Sequence, residues 1–318
     1  MPYPYDIEEI NSRAAGNPEG LARECEAIFD RKVAEAAATV AERTSLSNVV
    51  FLSGPSGSGK TTTAKKICEA LERIGVRAHT VSLDKYYVTL DPETAPRTDS
   101  GEYDRESPHC LDLGLIAEHV GILEQGGEVT IPHFDFKKQT QNEAKFRAIR
   151  LRENEVVIFE GIHALNDLLT SGHPNAFKLY ISARSDVIRE GRIVFKRTWT
   201  RLLRRVVRDS FFRATGASET LKMWANIREG EKKYISPFKY KADFLFDSSM
   251  EYEIPVMKRF ALNAFSTIPA GTKRSRELSS LLPALKQFSA ILPMSRLLTP
   301  KAPSLSDTKP PHVPSTHC

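Results

Sequence analysis

The sequence predicts an α/β fold: a mostly parallel sheet with helices on both faces and an arginine-rich helical lid. Three observations carry that expectation. Short apolar, β-branched runs alternate with helix-periodic stretches, as in a sheet covered on both sides. Between one such run and one such helix lies Gly54-Pro55-Ser56-Gly57-Ser58-Gly59-Lys60-Thr61, a complete G-x-x-x-x-G-K-[ST] loop. Further on, Arg201, Arg204, Arg205 and Arg208 recur at i, i+3, i+4 and i+7. The loop in that setting makes the fold one of the P-loop NTPase type.

In chain order, residues 1–17 are expected to be irregular. From Pro18 to Arg43, Leu21, Cys25, Ile28, Phe29, Val33, Ala36, Ala37 and Val40 fall on one face of an Ala-rich helix. Strands are expected at Val49–Leu52, His79–Leu83, Val129–Ile131, Val156–Phe159, Lys178–Ile181 and Phe244–Phe246. Helices are expected near 61–73, 110–125, 197–213 and 218–229. After Ala261 the pattern weakens, although Arg276 to Leu292 still places Leu278, Leu281, Leu282, Leu285 and Phe288 on one side, with Pro283 interrupting. From Thr299 to Cys318 the chain is rich in Pro, Ser, Thr and Lys, the composition of a disordered tail. The organisation this implies is a helical extension over 1–45, a P-loop domain over 46–262, a helical segment over 263–298 and the tail. There is no internal repeat.

Bulk composition narrows the function. With 45 Lys+Arg against 40 Asp+Glu the net charge is +5, which suits an anionic ligand and is low for a nucleic-acid binder. The four cysteines are scattered without a C-x-x-C pair, so neither a disulfide framework nor a zinc site is expected. Acidic residues Asp6, Glu8 and Glu9 rule against a signal peptide, and apolar runs are too short for a membrane span. A cytoplasmic protein is expected.

In the loop, glycines let backbone N–H groups converge on phosphates, and the following helix N-terminus favours negative charge. Lys60 would reach the β- and γ-phosphates of ATP, and the Thr61 hydroxyl would ligate Mg²⁺; Gly54 to Thr62 form the cradle. Ligands of such folds sit at the carboxyl ends of the strands. There Asp84 follows Val81-Ser82-Leu83, as a base for an attacking hydroxyl or as a turn-forming cap. Glu160 ends the buried run Val156–Phe159, as a water-mediated Mg²⁺ holder or as a solvated strand-end acid. His163 reads as structural. The arginine stripe suits polyphosphate or facing carboxylates, or is a solvated basic face; Arg213 extends it into a Gly216-containing segment plausible as a mobile cover.

The set Gly54–Thr61, Asp84-Lys85-Tyr86-Tyr87, Tyr103-Asp104, Pro132-His133-Phe134-Asp135-Phe136, Glu160-Gly161-Ile162-His163 and Arg204-Arg205-Val206-Val207-Arg208-Asp209 resembles the uridine kinase/phosphoribulokinase family of P-loop kinases. Glu160 to Asn166, Met223-Trp224 and Arg228-Glu229-Gly230-Glu231 resemble its bacterial nucleoside kinases, often fused behind a threonyl-tRNA-synthetase-like region. Here only the helix of 18–43 precedes the core. The resemblance runs from Asn48 to Ala261. It implies Asp84 as general base for a nucleoside 5′-hydroxyl, Tyr87 lining the nucleoside site, and Asp104 gripping the ribose diol with Arg205. Phe134 and Phe136 would pack around the base, and Arg208 and Arg213 would close over the transferring phosphate. Where uridine kinases carry a base-reading histidine this chain has Lys137-Lys138-Gln139; Gln139 can donate and accept, so a base can still be read. The implied activity is ATP- and Mg²⁺-dependent phosphorylation of a uridine- or cytidine-like nucleoside. The alternatives are another small sugar or polyol acceptor, as in phosphoribulokinase, and a nucleotide-switched module binding RNA or protein. Oligomeric state stays open, a homo-oligomer included.

Overall fold

The computed structural model describes residues 3–99, 101–135, 138, 140–141, 147–268 and 276–291. Five strands make the central sheet: β1 (Val49–Ser53), β2 (Arg77–Ser82), β3 (Glu155–Glu160), β4 (Phe177–Ser182) and β5 (Phe244–Asp247). They lie in the order β5-β4-β1-β3-β2, all parallel. Around it are helices α1 (Ile7–Gly16), α2 (Pro18–Arg43), α3 (Lys60–Arg73), α4 (Leu113–Glu124), α5 (Arg197–Phe212), α6 (Ala217–Gly230), α7 (Glu253–Ser266) and α8 (Arg276–Lys286).

Parallel strands buried on both faces read as unbroken apolar runs, because alternate side chains enter opposite cores. In β1, Val49 and Phe51 enter one core while Val50 and Leu52 enter the other. β3 repeats this with Val157 and Phe159 against Val156 and Ile158. The first core is closed by Ile116, Val120 and Leu123 of α4. The second is closed by Phe29, Val33 and Val40 of α2 and by Ala64, Ile67 and Leu71 of α3. Helices therefore cover both faces. Register pairs Glu160 with Leu52 on one side and with Ser82 on the other. The carboxyl end of β3 thus stands between the phosphate loop and the segment bearing Asp84.

A third core carries the lid. Trp199, Leu202, Leu203 and Val206 of α5 pack with Trp224 of α6, Ile254 of α7 and Leu281 and Leu285 of α8. Ile7 and Ile10 of α1 enter the same core, which corrects the reading of residues 1–17 as irregular. Tyr5–Asp6 is a short strand, and Asp6 Oδ1 caps α1 by accepting from Glu8 N–H at 2.8 Å and Glu9 N–H at 3.2 Å. A ten-residue helix is marginal alone and depends on tertiary packing, which periodicity does not report.

Four further differences are local. On α2 the expected face is buried except Ile28, which is 37% exposed, while Ala22 turns inward. The strand around Val129–Ile131 forms at Glu128–Ile131 but pairs antiparallel with Arg147–Arg150, apart from the central sheet. Only Val129 and Ile131 are buried in it, so it has one apolar face and suits an outer ladder. A hairpin of Val187–Arg189 with Arg192–Phe195 turns through Glu190 and Gly191, both at positive φ (48° and 76°), a two-residue turn matching strand twist. The C-terminal helix stops at Lys286 rather than Leu292, though Phe288 is still buried. Among the described residues no helix is long and apolar enough to cross a membrane. Phe136, Gln139 and the tail over 299–318 lie outside the described residues.

Candidate active site

The phosphate loop leaves β1 under tight steric control. A Cβ on Gly54 would lie 2.0 Å from the Ile181 carbonyl oxygen, so only glycine lets the loop start this close to β4. Gly54→Ala is expected to cost about 1–3 kcal/mol by overpacking, read as a lower melting temperature and weaker Mg·ADP binding. An unchanged melting temperature and affinity would contradict that close approach.

Gly59, at φ 87°, opens α3, and no side chain caps the helix. Its first-turn N–H groups at Lys60, Thr61 and Thr62 therefore face the loop's mouth without intrahelical acceptors. The buried Ser58 hydroxyl oxygen also has no hydrogen-bond partner among the described residues. Uncapped amides and an orphan hydroxyl fit a phosphate chain.

Lys60 Nζ donates to the Pro55 carbonyl at 3.2 Å, folding back over the loop. Burial lowers its pKa, and the charges of Glu160 and Asp84 act the other way. Thr61 Oγ1 donates to Glu160 Oε1 at 3.3 Å, which brings together the two residues expected to hold Mg²⁺. Burial raises the Glu160 pKa, and Lys60 offsets it. A hydroxyl and a carboxylate that are already neighbours suit an octahedral cation keeping most of its waters.

Asp84 sits in a helical turn, Leu83–Tyr86, whose capping side chain is Ser82 rather than Asp84. The residue is exposed beyond the end of β2. The protein packed about it raises its pKa, and Lys60, Arg213 and Arg208 pull it back. One acid thus faces the loop lysine and two lid arginines.

The arginine stripe divides by partner. Arg201, 2% exposed, donates to Glu231 Oε2 at 2.7 Å and to the Ser56 carbonyl at 3.3 Å. Arg204 grips Glu253 bidentately through Nε and Nη2, at 3.2 and 2.6 Å, and donates from Nη1 to the Gly57 carbonyl at 3.3 Å. These two fasten the lid helix to the loop. Arg205 instead donates to Ser56 Oγ at 2.7 Å. Arg205, Arg208 and Arg213 converge on the buried Asp209 carboxylate, at 3.3, 2.7 and 3.8 Å. One shared anion holds three cations near the loop before any ligand arrives.

Beside the loop opens a cavity of about 160 Å³ lined in part by Asp104, Glu106, Arg205, Asn226, Lys233 and Tyr234. Asp104, the expected diol ligand, lines it with Arg205 but is already engaged. Its Oδ2 accepts from Tyr234 Oη at 2.7 Å and its Oδ1 from the Glu106 N–H at 3.2 Å. Glu106 is the acid that sequence reasoning missed. Burial pushes its carboxyl up to about 7, opposed by Arg205. Gly230 makes room for it, since a Cβ there would lie 2.3 Å from Glu106 Cβ. Tyr87 bridges the two halves: its ring packs on the buried Phe134 with centroids 5.8 Å apart, and both Asp84 and Glu106 act on its hydroxyl. Glu231, Asp209 and Tyr234 were also missed as site components. Arg228-Glu229-Gly230-Glu231 carried one signal, an acid-rich helix end opposite the arginine stripe.

Residues 49–255 match the model of the Phosphoribulokinase / Uridine kinase family. The chain belongs to that family. Among curated relatives of this P-loop kinase, the uridine kinase of Saccharomyces cerevisiae is 28% identical over 201 residues, 63% of this chain and 36% of that protein. The uridine kinase of Macrococcus caseolyticus is 27% identical over 202 residues, 63% of this chain and 88% of that protein. The chain therefore spans about a third of the yeast relative and most of the bacterial one. Among solved structures, a putative fructose transport system kinase from Silicibacter sp. TM1040 superposes with a TM-score of 0.51 at 18% identity, covering 67% of this chain and 98% of that one. That likeness is one of fold.

Proposed function

We propose that this family member transfers the γ-phosphoryl group of ATP to the 5′-hydroxyl of a uridine- or cytidine-like nucleoside. The observation that carries this is the placement of Asp84. The charges of Lys60, Arg213 and Arg208 act on its carboxyl, and the same Lys60 acts on Glu106 of the cavity. Asp84 takes the proton of the acceptor hydroxyl as that oxygen bonds to the γ-phosphorus and the bond to ADP breaks. Lys60, Arg208 and Arg213 meet the charge spread over the transferring group. Mg²⁺ held by Thr61 and Glu160 would neutralise phosphate oxygens. Glu106 and Asp104 accept hydrogen bonds from acceptor hydroxyls, and Tyr87 and Phe134 supply aromatic surface. The RNA-binding alternative draws no support from Arg201 and Arg204, which are spent on internal carboxylates.

The test is ADP release from Mg·ATP with uridine, cytidine, ribose, a sugar phosphate or no acceptor. Release that depends on uridine or cytidine is the expected result. Dependence on the sugar phosphate instead would move the acceptor class. No acceptor dependence together with salt-sensitive RNA binding would overturn the kinase reading.

A pH dependence follows from Glu106. A carboxyl near 7 is charged above that pH and protonated below it, where it accepts fewer hydroxyl bonds. The acceptor kcat/KM is therefore expected to fall as pH drops below about 7. In Glu106→Gln it is expected to be low and to lack that limb. A limb near 7 that survives the substitution would assign the titration to another group.

A further inference from the structure

One buried side chain at the centre of the site makes no well-formed hydrogen bond. His163, on the turn after β3, is 1% exposed, and neither ring nitrogen completes one. Unmade buried bonds are costly and uncommon, so two on a single ring call for an explanation. Burial keeps the imidazole neutral, with its pKa lowered to about 4, so the ring offers one N–H and one lone pair.

The surroundings say where that N–H can go. The Glu106 and Tyr234 backbones stand near enough to be loose hydrogen-bond partners of the ring, and the charges of Lys60 and Asp104 also act on it. Tyr234 meets it edge to face with centroids 6.3 Å apart. The same Tyr234 holds Asp104 through its hydroxyl, and Asp104, Glu106 and Tyr234 all line the cavity. On the other side the turn is tied to the phosphate half. Gly161 N–H donates to the Leu52 carbonyl at 3.1 Å, and Ser53 Oγ donates to the Ile162 carbonyl at 2.8 Å. Both acceptors of that anchorage belong to the strand that feeds the loop or to the turn itself. His163 therefore reaches the acceptor wall from a turn pinned at the loop's root.

We propose that His163 is a positioning residue: once nucleotide fills the phosphate loop, its imidazole N–H closes onto the Glu106 backbone carbonyl and fixes the acceptor wall. The assignment of that wall to the acceptor rests on the kinase reading above. The consequence is an ordered site, in which the wall carrying Asp104 and Glu106 becomes rigid only in the nucleotide-bound protein.

The experiment is backbone hydrogen exchange of the full chain over residues 103–110 and 231–236, with and without Mg·ADP. In the wild type, Mg·ADP is expected to slow these segments roughly threefold to tenfold, the scale of one added hydrogen bond. In His163→Leu, calorimetry should still detect Mg·ADP binding, but the slowing should be lost. In His163→Gln, whose side-chain amide can donate to the same carbonyl, much of it should return. A role in packing alone would favour leucine over glutamine, the opposite order. If His163→Leu does not fold, His163→Phe replaces it as the apolar variant. Equal slowing in the apolar variant and the wild type, or none in wild-type protein shown to bind Mg·ADP, would overturn the proposal. Because the readout needs no acceptor, it can fail while the ADP-release assay succeeds, and the reverse. Wild-type protein that does not bind Mg·ADP would sink both.

Discussion

Asp84→Asn protein is expected to turn over acceptor roughly 10²- to 10⁴-fold more slowly than the wild type, with its affinity for Mg·ATP retained. The substitution keeps the shape and most hydrogen-bonding capacity of the side chain and removes only its ability to take a proton. The surroundings make Asp84 a suitable base. Packing raises its pKa above that of an ordinary aspartate, which strengthens it as a proton acceptor, and Lys60, Arg213 and Arg208 oppose that rise. Binding should survive because Lys60 is also stabilised by Glu160, and the loop's main chain does not involve Asp84. The loss should therefore fall on kcat rather than on the KM for ATP. Near-normal turnover by the variant would contradict the role assigned here.

The second large effect concerns stability. Glu231→Gln is expected to destabilise the protein by about 3–5 kcal/mol, because it leaves the Arg201 guanidinium charged and unpaired in the interior. Arg201 is 2% exposed and Glu231 is 7% exposed, so water cannot replace the lost partner. Arg228 shares the same carboxylate but is part-exposed, so water can take its place. At about 2–4 °C per kcal/mol for a domain of this size, the melting temperature should fall by roughly 6–20 °C. Replacing both Arg201 and Glu231 by methionine should recover most of that loss, since no charge is then left buried. The double variant should nevertheless bind Mg·ADP less well, because the Ser56 carbonyl loses its donor from Arg201. A fall of less than about 2 °C in Glu231→Gln, set against the same scale, would show that the pair is dispensable.

The parts of the site legible in the sequence are those built by neighbours along the chain. The run Val49–Leu52, the glycine loop and α3 are contiguous, so the loop and its cradle could be read directly. Asp84 and Glu160 were legible because a parallel sheet places successive strand ends along one edge, and register sets Ser82 and Leu52 on either side of Glu160. What escaped depends on chain segments far apart. Helix α1 is defined by the lid core it enters, not by its own ten residues. Glu106 becomes a cavity acid only because Gly230, more than a hundred residues away, leaves room for it. The spacing of the arginines was plain, but not their partners. Arg201 and Arg204 turn to Glu231 and Glu253, whereas Arg205, Arg208 and Arg213 gather on Asp209. Helical periodicity specifies a face and says nothing of what stands opposite it.

The most direct test of the catalytic arrangement is a crystal structure with a non-hydrolysable Mg·ATP analogue and the acceptor selected by ADP release. The account predicts an Asp84 carboxylate oxygen about 2.6–3.2 Å from the acceptor hydroxyl that faces the γ-phosphorus. That hydroxyl held by a different side chain, with Asp84 out of hydrogen-bonding reach, would contradict it.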